Sequence, residues 1–130
     1  MIKTDRLPEF SRDLKKLLKR FNTLEEDLSN FIKAQIKLYH ELKIDNESIF
    51  EIPGFDTEEP KIYKAKKFAC KALKGKGAKS GIRVIYAYYS EEETIDFIEI
   101  YYKGDQEQED RERVKEYLQR IENRHESCDK

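Results

Sequence analysis

The chain has 130 residues, 38% hydrophobic and 41% charged, with a mean hydropathy of −0.91 and a net charge of −1. That length suits one domain over residues 1–130 with a modest core, and the balanced charges with 8 Tyr and 7 Phe exclude a disordered chain. No apolar run approaches the roughly 18–20 residues of a membrane span, Met1 to Arg6 lack a secretory apolar region, and the isolated Cys70 and Cys128 make neither a disulfide framework nor a metal-ligand motif. The expectation is a soluble, cytoplasmic protein with no metal, no small-molecule cofactor and no membrane partner.

In chain order, Phe10, Leu14, Leu17, Leu18 and Phe21 follow helical spacing, with Ser11 placed to cap the helix start. Thr23-Leu24-Glu25-Glu26 reads as a capping box opening a second helix from about Leu24 to Leu42. Its buried stripe is Leu24, Leu28, Phe31, Ile32, Tyr39 and Leu42, with Gln35 or Ile36 between. The two helices form an antiparallel hairpin at the N-terminus. Asp45 to Pro60 is polar and acidic and reads as a loop. Ile62 to Leu73 reads as an imperfectly alternating strand, followed by strong strands at Ile82–Tyr89 and Ile95–Tyr102 joined through Ser90 to Thr94. A last helix runs from about Glu107 to Arg124 with the stripe Val114, Tyr117, Leu118 and Ile121, supported by Glu107–Arg111, Glu109–Arg113 and Glu116–Arg120 pairs. Residues 126–130 fray. The order implies an α+β domain with helices on one face of a small antiparallel sheet and the other face open. Pleating puts Ile82, Val84, Tyr86 and Tyr88 on one face and Arg83, Ile85, Ala87 and Tyr89 on the other, so Arg83 is expected on the open face.

The charges are sorted into blocks. Lys61 to Arg83 holds nine bases and no acid, which leaves −10 on the rest of the chain. Asp45 to Pro60 holds six acids and no base, and Glu91 to Asp110 holds nine acids with only Lys103. A basic block in an acidic protein is a candidate phosphate-binding surface; it is equally a solvated strand face followed by a lysine-rich loop. His40 and His125 read as surface residues and Cys70 as a small buried one. Some of Tyr86, Tyr88, Tyr89, Tyr101 and Tyr102 belong to the core, and one of them is a candidate base contact. Arg83 is either a phosphate ligand or a structural partner of Glu99 or Asp96.

Three segments carry a resemblance: Ile62-Tyr63-Lys64-Ala65-Lys66-Lys67-Phe68, Gly81-Ile82-Arg83-Val84-Ile85-Tyr86, and Phe97-Ile98-Glu99-Ile100-Tyr101-Tyr102-Lys103. A lysine-rich strand, a G-x-R-V-x-Y strand and a strand ending in aromatic plus base, all after two helices, resemble the RelE/ParE superfamily of bacterial toxins over nearly the whole chain. The resemblance implies the toxin of a type II toxin–antitoxin system, bound by a cognate antitoxin. RelE-like members are ribosome-dependent, metal-independent mRNA endonucleases that inhibit translation: the 2′-hydroxyl attacks the adjacent phosphate and leaves a 2′,3′-cyclic phosphate. The implied catalytic set is Arg83, Lys66, Lys103 and Tyr102, and the implied RNA- and phosphate-binding set is Lys64, Lys67, Lys71, Lys74, Lys76 and Tyr101. In this resemblance Arg83 holds the scissile phosphate and Lys64 or Lys66 serves as base or phosphate ligand. The chain departs from the pattern after Lys103, where Gly104-Asp105-Gln106-Glu107 stands in place of the tyrosine or histidine of better-studied nucleases. The alternatives are a ParE-like inhibitor of a target such as DNA gyrase, which acts without cutting RNA, and an inactive module that only binds its antitoxin.

Overall fold

The computed structural model describes residues 2–45, 47–55, 58–73 and 80–128, with side chains as far as Glu122. The chain runs β1 (Lys3–Arg6), α1 (Pro8–Leu18), α2 (Leu24–Phe31), a π-helix (Ile32–Glu41), β2 (Ile49–Glu51), β3 (Lys61–Ala65), β4 (Ile82–Tyr89), β5 (Thr94–Tyr102) and α3 (Arg111–Cys128). The strands form one mixed sheet in the order β1-β5-β4-β3-β2. The domain is α+β, as expected, but it opens on a strand and not on the helical hairpin. β1 pairs in parallel with β5, Lys3 opposite Thr94 and Arg6 opposite Phe97. All four β1 residues are exposed, so the strand is held by its backbone pairing and by the Arg6 guanidinium, which donates to both carboxylate oxygens of Glu25 in α2 at 3.1 and 2.7 Å.

Pro8 fits the first turn of α1, where its missing N–H costs nothing. The helix therefore starts before Ser11, which does not cap it; Leu7 does, without a side-chain bond. Phe10, Leu14 and Leu17 turn inward, and the Phe10 ring stacks on Phe97 at 5.2 Å. Thr23 does stand at the start of α2, but no capping box forms. Its hydroxyl donates to Asp27 at 2.7 Å and accepts the Ala72 amide at 2.9 Å, which ties the helix to the turn after β3. From α2 the chain continues without a break into the ten-residue π-helix. Leu24, Leu28, Ile36 and His40 are buried along this continuous element, whereas Leu42, expected inside, is 56% exposed.

β4 is buried on both faces. Its Ile82, Val84, Tyr86 and Tyr88 pack with Phe97, Ile100, Tyr63 and Phe68 against α1, α2 and the π-helix. Its Ile85 and Ala87 pack with Ile62, Ile98 and Tyr101 against Val114 and Tyr117 of α3. The parity holds, but the open face does not exist: α3 covers it. A strand apolar on both parities has to be buried on both sides, since each large aliphatic side chain left in water forgoes roughly 1.5–3 kcal/mol.

α3 is fixed along its first three turns. Beyond Phe97, β1 no longer covers the β5 edge, and side chains take over its backbone groups. Asp13 of α1 accepts the Ile100 amide at 3.4 Å, and Arg113 donates to the Ile98 carbonyl at 3.1 Å and to Asp13 at 2.6 Å. The loop before α3 is held by Glu99, which accepts the Asp110 amide at 2.9 Å and the Gln106 side-chain amide at 2.8 Å. Glu99 is 2% exposed, and burial raises its pKa against those two hydrogen bonds. The expected pairs within the last helix do not form as read, because Glu107 and Glu109 precede Arg111, where α3 begins. Glu109 meets Lys64, Arg113 meets Asp13, and Arg120 meets Glu9 at 3.1 Å. Tyr117 donates to Asp96 at 2.6 Å, and Tyr89, 2.6 Å from the Tyr117 hydroxyl, joins in holding the second turn of the helix onto the sheet.

Candidate nucleic-acid interface

Antiparallel pairing gathers one end of three strands. The end of β3, the start of β4 and the end of β5 lie together, since Ala65 pairs with Val84 and Arg83 with Tyr101. Lys66 and Lys67 follow β3, Arg83 opens β4, and Lys103 follows β5. The opposite end of the same strands carries the Glu91 to Glu93 turn and Glu58 and Glu59 ahead of β3. The blocks of the sequence become two poles of the sheet, one basic and one acidic.

Within the basic pole the expected residues separate into three groups. Lys66, Arg83 and Lys103 make no ion pair with a described acid. The Arg83 guanidinium, half-buried, donates to the Lys66 carbonyl at 2.8 Å and to its neighbour Ile82 at 3.4 Å. This bond ties β4 to the chain leaving β3 and aims the guanidinium along the sheet end. Neither Glu99 nor Asp96 pairs with Arg83; they serve the loop before α3 and Tyr117. Lys66 and Lys103 are exposed, and the Lys103 amide donates to the Gly81 carbonyl at 2.8 Å. Gly81 has φ +86°, a backbone that suits glycine, and a Cβ there would lie 3.2 Å from the Tyr102 ring. Lys67 is exposed at the same strand end.

The second group is spoken for. The Lys64 ammonium donates to Glu109 at 2.8 Å, with the two side chains 16% and 11% exposed. Burial, the largest single influence, works against the Lys64 charge, but Glu109 and Tyr101 together outweigh it and raise the pKa. Burial is likewise the largest influence on Glu109, and Lys64, a backbone hydrogen bond and Arg111 together overcome it and lower the pKa. Tyr101 lies under this pair, with the ammonium 5.9 Å from its ring centre; it is 5% exposed and its hydroxyl has no hydrogen-bond partner of good geometry. Burial raises the Tyr101 pKa, opposed by Lys64. Lys71 stands apart from the strands, paired with Glu26 of α2.

The third group faces elsewhere. Tyr102 pairs with Ile82 on the α1–α2 side of the sheet, opposite to Arg83. Its ring packs 5.1 Å from Phe21, with the Arg20 guanidinium 5.3 Å above it, and Arg20 in turn pairs with Asp105 at 2.5 Å. Lys74 and Lys76 lie outside the described residues.

One contributor was missed. Phe50 of β2, on the sheet edge opposite Lys64, is 40% exposed, and the Lys66 ammonium sits 5.0 Å over its ring. A single phenylalanine inside an acidic loop gives little sequence signal; only its pairing brings it to the basic pole. Together, exposed cations, a fixed guanidinium and an accessible aromatic face suit a phosphate backbone with a stacked base. No family model matches the chain, and no curated protein matches it. Among solved structures it is similar to the crystal structure of an archaeal RelE–RelB complex from Pyrococcus horikoshii, at 13% identity and a TM-score of 0.48, covering 79% of this chain and 96% of that one.

Proposed function

We propose that the chain is the toxin of a toxin–antitoxin pair and that its basic pole binds single-stranded RNA on the ribosome, with Lys66, Arg83 and Lys103 on phosphates and Phe50 under a base. The observation that carries the reading is the convergence of those unpaired cations at one strand end, on the G-x-R-V-x-Y and lysine-strand motifs that resemble RelE-like toxins. The arrangement supports binding more than cutting. Cleavage by 2′-hydroxyl attack needs a group that takes the 2′ proton and another that gives one to the 5′ oxygen. Lys64 is held as a cation by Glu109, Tyr101 is buried with its pKa raised, and Tyr102 faces the other side of the sheet.

Binding of a fluorescent single-stranded RNA between about 50 and 200 mM salt tests the site. Each phosphate contact contributes about 0.7 to the slope of log K against log salt, so Lys66→Ala/Arg83→Ala/Lys103→Ala should lower the slope by about 2. Binding that ignores salt, or a variant with the parent slope, overturns the reading. Mapping of mRNA 3′ ends after induced expression separates occlusion from cleavage, and a supercoiling assay with DNA gyrase tests the ParE-like alternative.

A further inference from the structure

At the acidic pole, on the face away from α3, the end of the π-helix lies beside Lys61 and Tyr63 of β3 and Tyr88 near the end of β4. Beneath it lies a cleft of about 410 Å³. Its walls are rings: Tyr39 and His40 from the π-helix, Tyr63 from β3 and Tyr88 from β4. The His40 ring lies 4.0 Å from Tyr88, nearly stacked, and 4.9 Å from both Tyr39 and Tyr63, edge to face. From below, the Tyr86 hydroxyl shares a 2.7 Å hydrogen bond with His40 Nε2 and fixes the imidazole in place. Burial, with Lys43 nearby, lowers the His40 pKa to about 4, so the ring is neutral at physiological pH. Tyr63 and Tyr88 are each 8% exposed, and neither hydroxyl hydrogen-bonds to another described residue. Aromatic faces with spare hydroxyls thus line an opening, where a closed core would have used them.

The lining sets two acids, Asp45 and Glu58, against two lysines, Lys43 and Lys61, and the acids around it tip the balance to negative. Lys61 is balanced by Glu51 at 3.6 Å, leaving Lys43 as the other lysine of the lining. Acids further out act on the same hydroxyls: after burial, Asp45 and Glu51 raise the Tyr39 pKa, and Glu93, Glu41 and Glu59 raise that of Tyr88. The helix ends at the cleft, so its negative dipole end adds to this field. A π-helix of this length is rare, and the chain leaves it through Lys43 in the left-handed region at φ 59°. Such irregularity persists where the surroundings hold it, often at binding sites.

We propose that this cleft is a binding site for a guanidinium group, the arginine side chain of a partner polypeptide. Aromatic faces attract a cation through their quadrupole, most strongly where water is excluded. The acidic rim selects against phosphate and carboxylate. The tyrosine hydroxyls, without a partner among the described residues, favour a cation with N–H donors over a quaternary ammonium, and a flat guanidinium can lie against the aromatic wall while its five donors reach several acceptors. The site lies at the opposite pole from the RNA-binding cations, so it stands or falls independently of them.

The probe is a short uncharged peptide carrying one arginine, set against the same peptide with citrulline, which keeps the shape and loses the charge. The arginine peptide should shift the ring signals of His40, Tyr63 and Tyr88, and the citrulline peptide should bind at least tenfold more weakly. Tyr39→Ala, on the half-exposed wall, should lower the thermal melt yet leave the protein folded and lose at least tenfold in binding, whereas Tyr39→Phe should retain both the melt and the binding. Asp45→Asn/Glu58→Gln should weaken it severalfold. Equal affinity for arginine and citrulline, a trimethyllysine peptide that binds better than the arginine one, or inorganic phosphate shifting the same rings overturns the proposal. The Tyr39→Ala variant should bind RNA like the parent, which keeps the two sites separable.

Discussion

His40 offers a measurable consequence of the fold. It is 4% exposed, ringed by Tyr39, Tyr63, Tyr86 and Tyr88, and burial is the main reason its pKa falls from 6.5 to about 4. In the unfolded chain the imidazole returns to the ordinary value near 6.5. Between those two values the unfolded state binds a proton that the folded state refuses, so stability falls as the pH falls. The His40 contribution is present in full above pH 6.5, is lost progressively through the interval, and changes no further below about pH 4. At 1.36 kcal/mol per pH unit the interval corresponds to roughly 3 kcal/mol, a large part of a stability of about 5–15 kcal/mol. Carboxylates titrate in the same range, so the assay is a difference. Urea unfolding is followed at several pH values from 7.5 to 4 for the parent and for His40→Gln, which keeps a partner for Tyr86 but does not titrate. The parent should lose roughly 3 kcal/mol more than the variant over that range. Parallel curves, or a His40 ring signal that titrates at pH 6 or above in the folded protein, would refute the argument that the tyrosine cage holds the imidazole neutral.

Two substitutions probe the basic pole. Arg83→Ala removes one hydrogen bond to the Lys66 carbonyl and opens no cavity among the residues packed under α3, so the stability should change by no more than about 1 kcal/mol; under the proposed function any growth inhibition seen on induced expression of the parent should disappear, and a folded variant as inhibitory as the parent removes Arg83 from the site. Lys64→Ala leaves Glu109, 11% exposed, with only the longer Arg111 contact at 3.6 Å and should cost roughly 1–3 kcal/mol, whereas Lys64→Met/Glu109→Leu should return to within about 1 kcal/mol of the parent by denaturant unfolding; equal losses in both would mean the pair is a surface contact.

Much of the framework was legible because its signals are local. The alternation in Ile82–Tyr89 and Ile95–Tyr102 marks β4 and β5 to within a residue, and the long second helix spans α2 and the π-helix. β1 was not legible, since Lys-Thr-Asp-Arg buries no side chain and is held by backbone pairing to β5 and a surface ion pair from Arg6 to Glu25, neither of which leaves a local pattern. The placement of α3 was legible in principle. Ile85 and Ala87 are as apolar as Val84 and Tyr86, and a strand apolar on both parities needs two covers, which leaves the last apolar helix for the second face. The burial of His40 had a signal too. Leu24, Leu28, Ile32, Ile36 and His40 recur every four residues, and the histidine is simply the last position of that stripe, admitted to the core because Tyr86 offers a hydroxyl opposite it.

The site was legible as charge but not as geometry. Sequence blocks become spatial poles only because the sheet is antiparallel: β3 leaves the acidic loop and ends in Lys66 and Lys67, β4 starts beside it at Arg83, and β5 returns from the glutamate turn to Lys103. Which cations stay available is then decided by residues far away in the chain. Glu109 takes Lys64 and Glu26 takes Lys71, while Lys66 is left over Phe50. A lysine count therefore overstates the binding surface, and the same topology that concentrates Lys66, Arg83 and Lys103 at one pole sends the acids to the other, where they surround tyrosines. One sheet thus carries two surfaces of opposite charge, an arrangement suited to holding a polyanion at one pole and a cationic partner segment at the other without competition between them.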